Sequence, residues 1–305
     1  MITKIVVALD GSKLAEQVLP YVSQIGSMTG AKVVLMTSIT PVTPWELSRV
    51  VAPLNGEEDA ATDYLEGQRL LLTKRGIEAS IHVDLGRPAS RIVKFAADQG
   101  ADLIAMTTHG RSGIARLWLG SIATGVLHQS HLPLLLVRST EEPGADVGVP
   151  IRRIYVPDDG SELAASVRPF ISDFARATGA SVVLHRVVES FSPIILPSVE
   201  AAGGYDRLLE AVKAAAIDTL AEEAGSFERA GVETQVMVTK GHVPDELLRA
   251  ANEVDASLIA MSTHGRSAAD RIVLPSAADA VVRRSELPCL LVRPPAIRKQ
   301  IEAKG

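Results

Sequence analysis

A single cysteine among 305 residues removes two classes of chemistry at once. Cys289 has no partner for an intramolecular disulfide and no second thiol for a metal cluster, and within the apolar run Leu287–Val292 it reads as a small hydrophobe. Long hydrophobic runs are missing too: no segment reaches the roughly 18 apolar residues that a membrane-spanning helix needs. The apolar segment inside Met1–Asp10 is too short for a signal-peptide core with its cleavage site, so a soluble, cytoplasmic protein with no membrane partner is expected. Runs of Lys or Arg are absent. With 31 basic residues against 36 acidic ones and a formal net charge of −5, a nucleic-acid surface is disfavoured. The 7 histidines are scattered without paired ligand spacing, so no metal ligands are expected. The Walker A spacing, Gly-x-Gly-x-x-Gly and a Gly-x-Ser-x-Gly elbow do not occur.

What the chain does have is a stretch that occurs twice. Asp102-Leu-Ile-Ala-Met-Thr-Thr-His-Gly-Arg-Ser112 and Ser257-Leu-Ile-Ala-Met-Ser-Thr-His-Gly-Arg-Ser267 agree at nine of eleven positions, 155 residues apart. The chain is therefore two copies of one unit. In each copy a short apolar run, Leu103–Met106 or Leu258–Met261, reads as a strand buried on both faces. In the first copy it empties into a polar loop, Gly110 to Ser121, after which a helical pattern opens with Ile122, Ala123, Val126 and Leu127. A strand, a glycine loop and a helix N-terminus in that order make an anion site, because backbone N–H groups and the positive end of the helix dipole converge there. Phosphate is the expected guest.

Elements alternate along the first copy. Ile5–Leu9 reads as a strand, Leu14, Val18, Val22 and Ile25 as a helix stopped at Gly30, and Ala31–Ile39 as a second strand. A proline-containing loop, Thr40–Glu58, leads to a helix from about Asp59 to Arg75 that stops at Gly76. Glu78–Leu85 is a third strand, Pro88–Gln99 a short helix, and Leu132–Val137 a fifth strand after the central one. Five strands alternating with helices make a parallel α/β sheet in each unit, with helices on both faces. Ser139–Pro150 has linker composition. The pattern restarts at Ile154–Ser161, which answers Ile5–Ser12 at a spacing of 149, so six extra residues lie before the second central loop, between Phe191 and Gly231 by this reading. The division is 1–140, linker 141–150, 151–295 and a charged tail 296–305.

In a doubly wound sheet, ligands sit beyond the strand C-termini where the strand order reverses. If strands 1 and 4 meet there, Asp10 and Met106 face one crevice. Asp10 then accepts from ribose hydroxyls or caps the following helix; Met106 lies against a base or fills the core. Gly110 and Gly120 let backbone approach phosphates or serve as turn glycines. Ser121 donates to a phosphate or acts as N-cap. His109 and His264 have no Ser, Cys or acidic partner at a motif spacing, so they read as loop-ordering or pocket-lining residues and no catalytic residue is assigned.

These residues resemble the universal stress protein family. The resemblance rests on Met-x-x-His-Gly110, nine residues, then Gly120-Ser121, together with the first turn Val-Ala-Leu-Asp-Gly-Ser12, and it covers nearly the whole chain as a tandem pair. It implies two Rossmann-like domains of the adenine nucleotide alpha hydrolase-like kind and an ATP or ADP ligand, with or without Mg2+. Carried over, Asp10 holds the ribose, Met106 and Ser38 flank adenine, and Gly110, Gly120 and Ser121 cradle the phosphates. The full candidate set is Ala8, Asp10, Ser38, Met106, Thr107, His109, Gly110, Arg111, Gly120, Ser121 and Ile122. Thr107 stands where the family's first signature glycine is expected, and Ser38 where an apolar residue is usual. The resemblance also implies pairing of the two domains through their fifth strands, and a homodimer is open.

The second unit departs further. Its equivalents are Ser262, Gly265, Pro275 and Ser276, so a proline, which has no N–H, replaces the glycine at the helix start. Asp158 adds a carboxylate beside Asp159, where it is expected to repel phosphate, whereas Asp159, His264, Gly265 and Arg266 are retained. The expectation is an asymmetric ATP- or ADP-binding regulator of the stress response, its nucleotide held mainly in the first unit. The alternatives are a slow ATP-hydrolysing or adenylate-transferring enzyme and a nucleotide-free assembly module.

Overall fold

The computed structural model describes residues 2–40, 55–108, 119–140, 150–189, 204–263 and 276–295. They fall into two compact units, Met1–Pro150 with Pro288–Leu291, and Ile151–Leu287 with Val292–Gly305.

In the first unit the β-branched and aliphatic runs become strands: β1 (Lys4–Ala8), β2 (Lys32–Ile39), β3 (Ala79–Leu85), β4 (Leu103–Thr107) and β5 (Leu134–Val137). They align parallel in the order β3-β2-β1-β4-β5, with Lys4 to Ala8 facing Lys32 to Met36 and Ile5 to Val7 facing Leu103 to Ala105. Ile5, Val6, Val7, Leu103, Ile104 and Ala105 are fully buried, as strands covered on both faces must be. The chain steps outward from β1 to β3, then returns to β4 on the opposite side of β1. Right-handed crossovers therefore put α2 (Leu19–Thr29) and α3 (Asn55–Lys74) on one face, and α4 (Pro88–Asp98) and α5 (Ser121–Gln129) on the other. Contacts of α2 with β1 and β2, of α3 with β2 and β3, and of α4 with α5 follow that division. The outer side of β5 is covered within this unit by Cys289–Leu291, which runs antiparallel to Leu134–Leu136.

The helix predicted through Leu14, Val18, Val22 and Ile25 is two pieces, α1 (Lys13–Glu16) and α2. Pro20 cannot donate to the carbonyl four residues back, so the ladder breaks after Glu16 and restarts with Pro20 in the first turn of α2. Gly30 ends α2 in the left-handed conformation, φ 69°.

The second unit repeats the plan with β6 (Arg153–Pro157), α6 (Glu162–Thr178), β7 (Ser181–Val188), α7 (Gly204–Arg229), β8 (Thr234–Lys240), α8 (Val243–Glu253), β9 (Leu258–Ser262) and α9 (Ser276–Arg284), its parallel strands ordered β9-β6-β7-β8. Register with the first repeat is offset by 149 through β7 and by 155 from β8 onward, which confines the six extra residues to the stretch between Val188 and Thr234. Tyr155, Phe174 and Phe227 are the largest fully buried side chains of this core.

Asp158 does not face a phosphate site as a bare charge. It is 6% exposed and takes ion pairs from Arg168 of α6 and Arg186 of β7, while Arg168 also lies 2.9 Å from Glu223 of α7. Burial alone would raise the Asp158 carboxyl, but the hydrogen bonds and charges of Arg168 and Arg186 outweigh it and hold the group below the usual carboxylate range. The first repeat has Leu9, Leu19, Thr37 and Gln68 at these positions, so four uncharged residues have become a paired charge cluster.

Two outcomes follow from packing. A Cβ on Gly125 of α5 would lie 2.7 Å from the Ala89 Cβ of α4. Gly125→Ala, which in an open helix gains about 0.5–1 kcal/mol, should therefore lower the melting temperature, and adding Ala89→Gly should recover it; calorimetry showing a rise for the single variant contradicts this packing. Asp158→Leu copies the first repeat at one position and leaves two guanidinium groups with Glu223 alone. Urea unfolding should show the second unit weakened by about 3 kcal/mol, and unchanged stability would mean that the cluster is not a coupled structure.

Candidate functional site

In the first repeat the strand order reverses between β1 and β4, and Ala8, Met106 and Thr107 lie at the C-terminal ends of those two strands. Beyond Ala8, the Leu9 N–H donates to the Met36 carbonyl at 2.9 Å and the chain leaves the sheet. Asp10 follows, half-buried, and its carboxylate accepts from the Ser12 N–H at 3.0 Å and the Ser12 hydroxyl at 2.6 Å. The cap of α1 is Ser12, whose hydroxyl accepts from the Ala15 N–H at 3.1 Å, so Asp10 orders the turn and is not the helix cap.

One strand over, Ser38 sits near the end of β2, level with Asp84 in β3. Its hydroxyl donates to the Gly86 carbonyl at 3.1 Å, and the Gly86 N–H donates to the Ile39 carbonyl at 2.9 Å. Gly86 has φ +144°, and a Cβ there would lie 2.5 Å from the Arg91 guanidinium, so glycine is required at this turn. These bonds tie the end of β2 to the entry of α4.

At the end of β4, Met106 and Thr107 are buried, 6% and 5% exposed. The next residue, Thr108, was not singled out by the sequence, yet it pins the site. Its N–H donates to the Val137 carbonyl of β5 at 2.8 Å, and its own carbonyl accepts the Gly120 N–H at 2.8 Å. The helix start is thereby fastened to the strand end. Gly120, expected to offer its amide to a phosphate, spends it on Thr108, and its φ of −56° is open to any residue. Gly120 is the N-cap position of α5 and makes no side-chain cap; Ser121 is the first helical residue, exposed.

The first intrahelical bond of α5 runs from the Thr124 N–H to the Gly120 carbonyl at 2.8 Å. That leaves the N–H groups of Ser121, Ile122 and Ala123 aimed out of the helix start without an intrahelical acceptor. The first turn carries no acidic side chain of its own to offset the positive end of the helix dipole. Ile122 is 38% exposed beside them. The arrangement can hold an anion. His109, Gly110 and Arg111 lie outside the described residues, and among those described no group of three His, Cys, Asp or Glu is placed to hold a metal.

The second repeat keeps part of this frame. Asp159 accepts from the Ser161 N–H at 2.9 Å, Met261 is buried, and the Thr263 N–H donates to the Val292 carbonyl at 3.0 Å, as Thr108 does to Val137. It differs at the helix: Asp279 stands in the first turn of α9, paired to Arg283 at 2.7 Å. His264, Gly265, Arg266 and Pro275 lie outside the described residues. At the position of Ser38 it carries Val187.

Comparison with known proteins agrees with the duplicated frame. The model of the universal stress protein family matches residues 1–138 and again 150–293. A universal stress protein of Methanocaldococcus jannaschii is 33% identical over 147 residues, which is 46% of this chain and 84% of that protein. A universal stress protein of Mycolicibacterium smegmatis is 23% identical over 299 residues, 95% of this chain and 97% of its own. The crystal structure of a universal stress protein from Archaeoglobus fulgidus shares the fold, with a TM-score of 0.69 at 20% identity over 95% of this chain and 98% of that one. Among the described residues no helix is long and apolar enough to cross a membrane. Matched twice along its length and built as two copies of one α/β unit, the chain belongs to the universal stress protein family.

Proposed function

We propose that the first repeat, residues 1–140, binds an adenine nucleotide, ATP or ADP, and that the bound state biases the shape or partner choice of a stress-response regulator. The observation that carries this reading is the helix start: the Ser121, Ile122 and Ala123 amides, with no acidic residue in their turn, at the reversal point of the sheet. In this reading the phosphates lie against those amides and Gly110, the ribose meets Asp10 and Ala8, and adenine lies between Met106 and Ser38. Thr107, His109 and Arg111 line the phosphate end. Mg2+, held by the phosphates themselves, needs little from the protein. Ser38 meets the base while its hydroxyl is spent on Gly86.

The second repeat, residues 151–295, is assigned a degenerate site. A proline at 275 has no N–H to give the Thr263 carbonyl, so the bond equivalent to Gly120–Thr108 cannot form, and Asp279 puts a carboxylate in the turn where an anion would lie. Pairing of the repeats through their fifth strands belongs to the same reading.

Calorimetric titration of ligand-stripped protein with ATP should give one site per chain. Ser121→Glu places a carboxylate at the helix start, where it favours the fold but opposes phosphate, and should weaken binding more than tenfold, about 1.4 kcal/mol. Absence of binding, or equal affinity in the variant, overturns the assignment. Steady phosphate or pyrophosphate release would instead mark an enzyme.

A further inference from the structure

The core of the second repeat holds a polar chain that nucleotide binding does not use. Tyr155 of β6 and His185 of β7 are both fully buried, and the Tyr155 hydroxyl meets His185 Nδ1. On the other side of the ring, Nε2 lies 2.9 Å from the Thr239 hydroxyl of β8. Thr239 in turn acts on Glu246 of α8, lowering its carboxyl, and that carboxylate is paired with Arg249 at 2.8 Å. The chain thus crosses three neighbouring strands and ends on a surface helix. The first repeat has Val6, Met36 and Asp84 at the strand positions and Arg91 on the helix, so no such relay exists there.

The direction of each bond follows from its end. Hydrogen bonds to Arg249 and Thr239 hold Glu246 below the usual carboxylate range, so it is ionised and only accepts. Thr239 must then donate to Glu246, its oxygen must accept from Nε2–H, and Nδ1 must be the acceptor of the Tyr155 O–H. All donors are satisfied with the ring neutral. A proton added at Nδ1 displaces the Tyr155 O–H and leaves it without an acceptor inside a closed core.

We infer that this repeat is a built-in acid sensor: the Tyr155–His185–Thr239–Glu246 chain joins β6, β7, β8 and α8 while His185 is neutral, and acid loosens these elements. The groups bearing on the ring are Tyr155 from β6, Thr239 from β8, and Glu246 and Arg249 from α8; Arg186 and its partner Asp158 belong to the opposite face of β7, because successive strand residues alternate. Burial pushes the imidazole down to about 4 from its ordinary 6.5; the Glu246 charge opposes that shift and the Arg249 charge adds to it. A folded value below the unfolded one means that the unfolded chain takes up the proton first. The stabilisation is complete above pH 6.5 and is lost as pH falls toward 4, the folding equilibrium of this repeat dropping about 30-fold by pH 5.

Hydrogen exchange by mass spectrometry on the whole chain, corrected for intrinsic rates, tests this between pH 7.5 and pH 5. Peptides from β6, β7 and β8 should lose about 30-fold in protection, and those from β1, β2 and β3 should not show this loss. Tyr155→Val with His185→Met, which installs the first repeat's pair, should flatten the response. Retained protection of β6 to β8 at pH 5, or the same slope in a folded double variant, overturns the inference. Histidine NMR of the unaltered chain reads the same point without a variant: His185 should hold the Nε2–H tautomer and titrate well below pH 6, and titration near 6.5 contradicts it.

Discussion

Everything at the candidate-site end of the first repeat depends on β1 being held between β2 and β4 by parallel backbone ladders inside a fully apolar layer. Ile5, Val6 and Val7 face Val33, Val34 and Leu35 on one side and Leu103, Ile104 and Ala105 on the other. Burying these runs removes water from both faces of the sheet, and each buried aliphatic side chain contributes roughly 1.5–3 kcal/mol. Because the chain goes one way from β1 and comes back on its other side, the connections diverge above β1. That divergence leaves room at the strand ends.

The loop ends are then fixed by a few backbone bonds and not by packing. Thr108 reads β5 with its N–H and α5 with its carbonyl, so strand end and helix start share one residue. Ser38 and Gly86 do the same for β2 and α4. The amides of Ser121 to Ala123 inherit their direction from this pinning. In the second repeat the strand-side bond persists through Thr263, while a proline at 275 forbids the helix-side one. One residue type thus separates a fastened helix start from one that must be held otherwise.

The large features were legible because they are periodic. Apolar runs at Ile5–Leu9, Leu103–Met106 and Leu258–Met261 and glycine stops at Gly30 and Gly76 each report local chemistry that the fold does not override. The misreadings concern residues whose role is set by distant partners. Asp158 looked like a repelling charge because its neutralising arginines come 10 and 28 residues later, on another helix and another strand. Pro20 divides the single helix that the spacing of Leu14, Val18, Val22 and Ile25 predicts. The Gly120–Thr108 bond is invisible in the sequence because Thr108 carries no signature of its own. Tyr155, His185, Arg168 and Arg186 are all polar where the first copy is apolar or uncharged, a difference that aligned repeats display. The reading of His109, Gly110 and Arg111 rests on the motif, since they lie outside the described residues.

The most direct measurement is the response of individual backbone amides to adenine nucleotide, followed by 15N NMR on the intact chain. Binding at the helix start predicts that the Ser121, Ile122 and Ala123 resonances shift together and saturate at one equivalent of ATP, with Ser276 to Ala278 unmoved. Saturable binding that leaves those three amides in place, or that moves the second repeat's helix start instead, would contradict it.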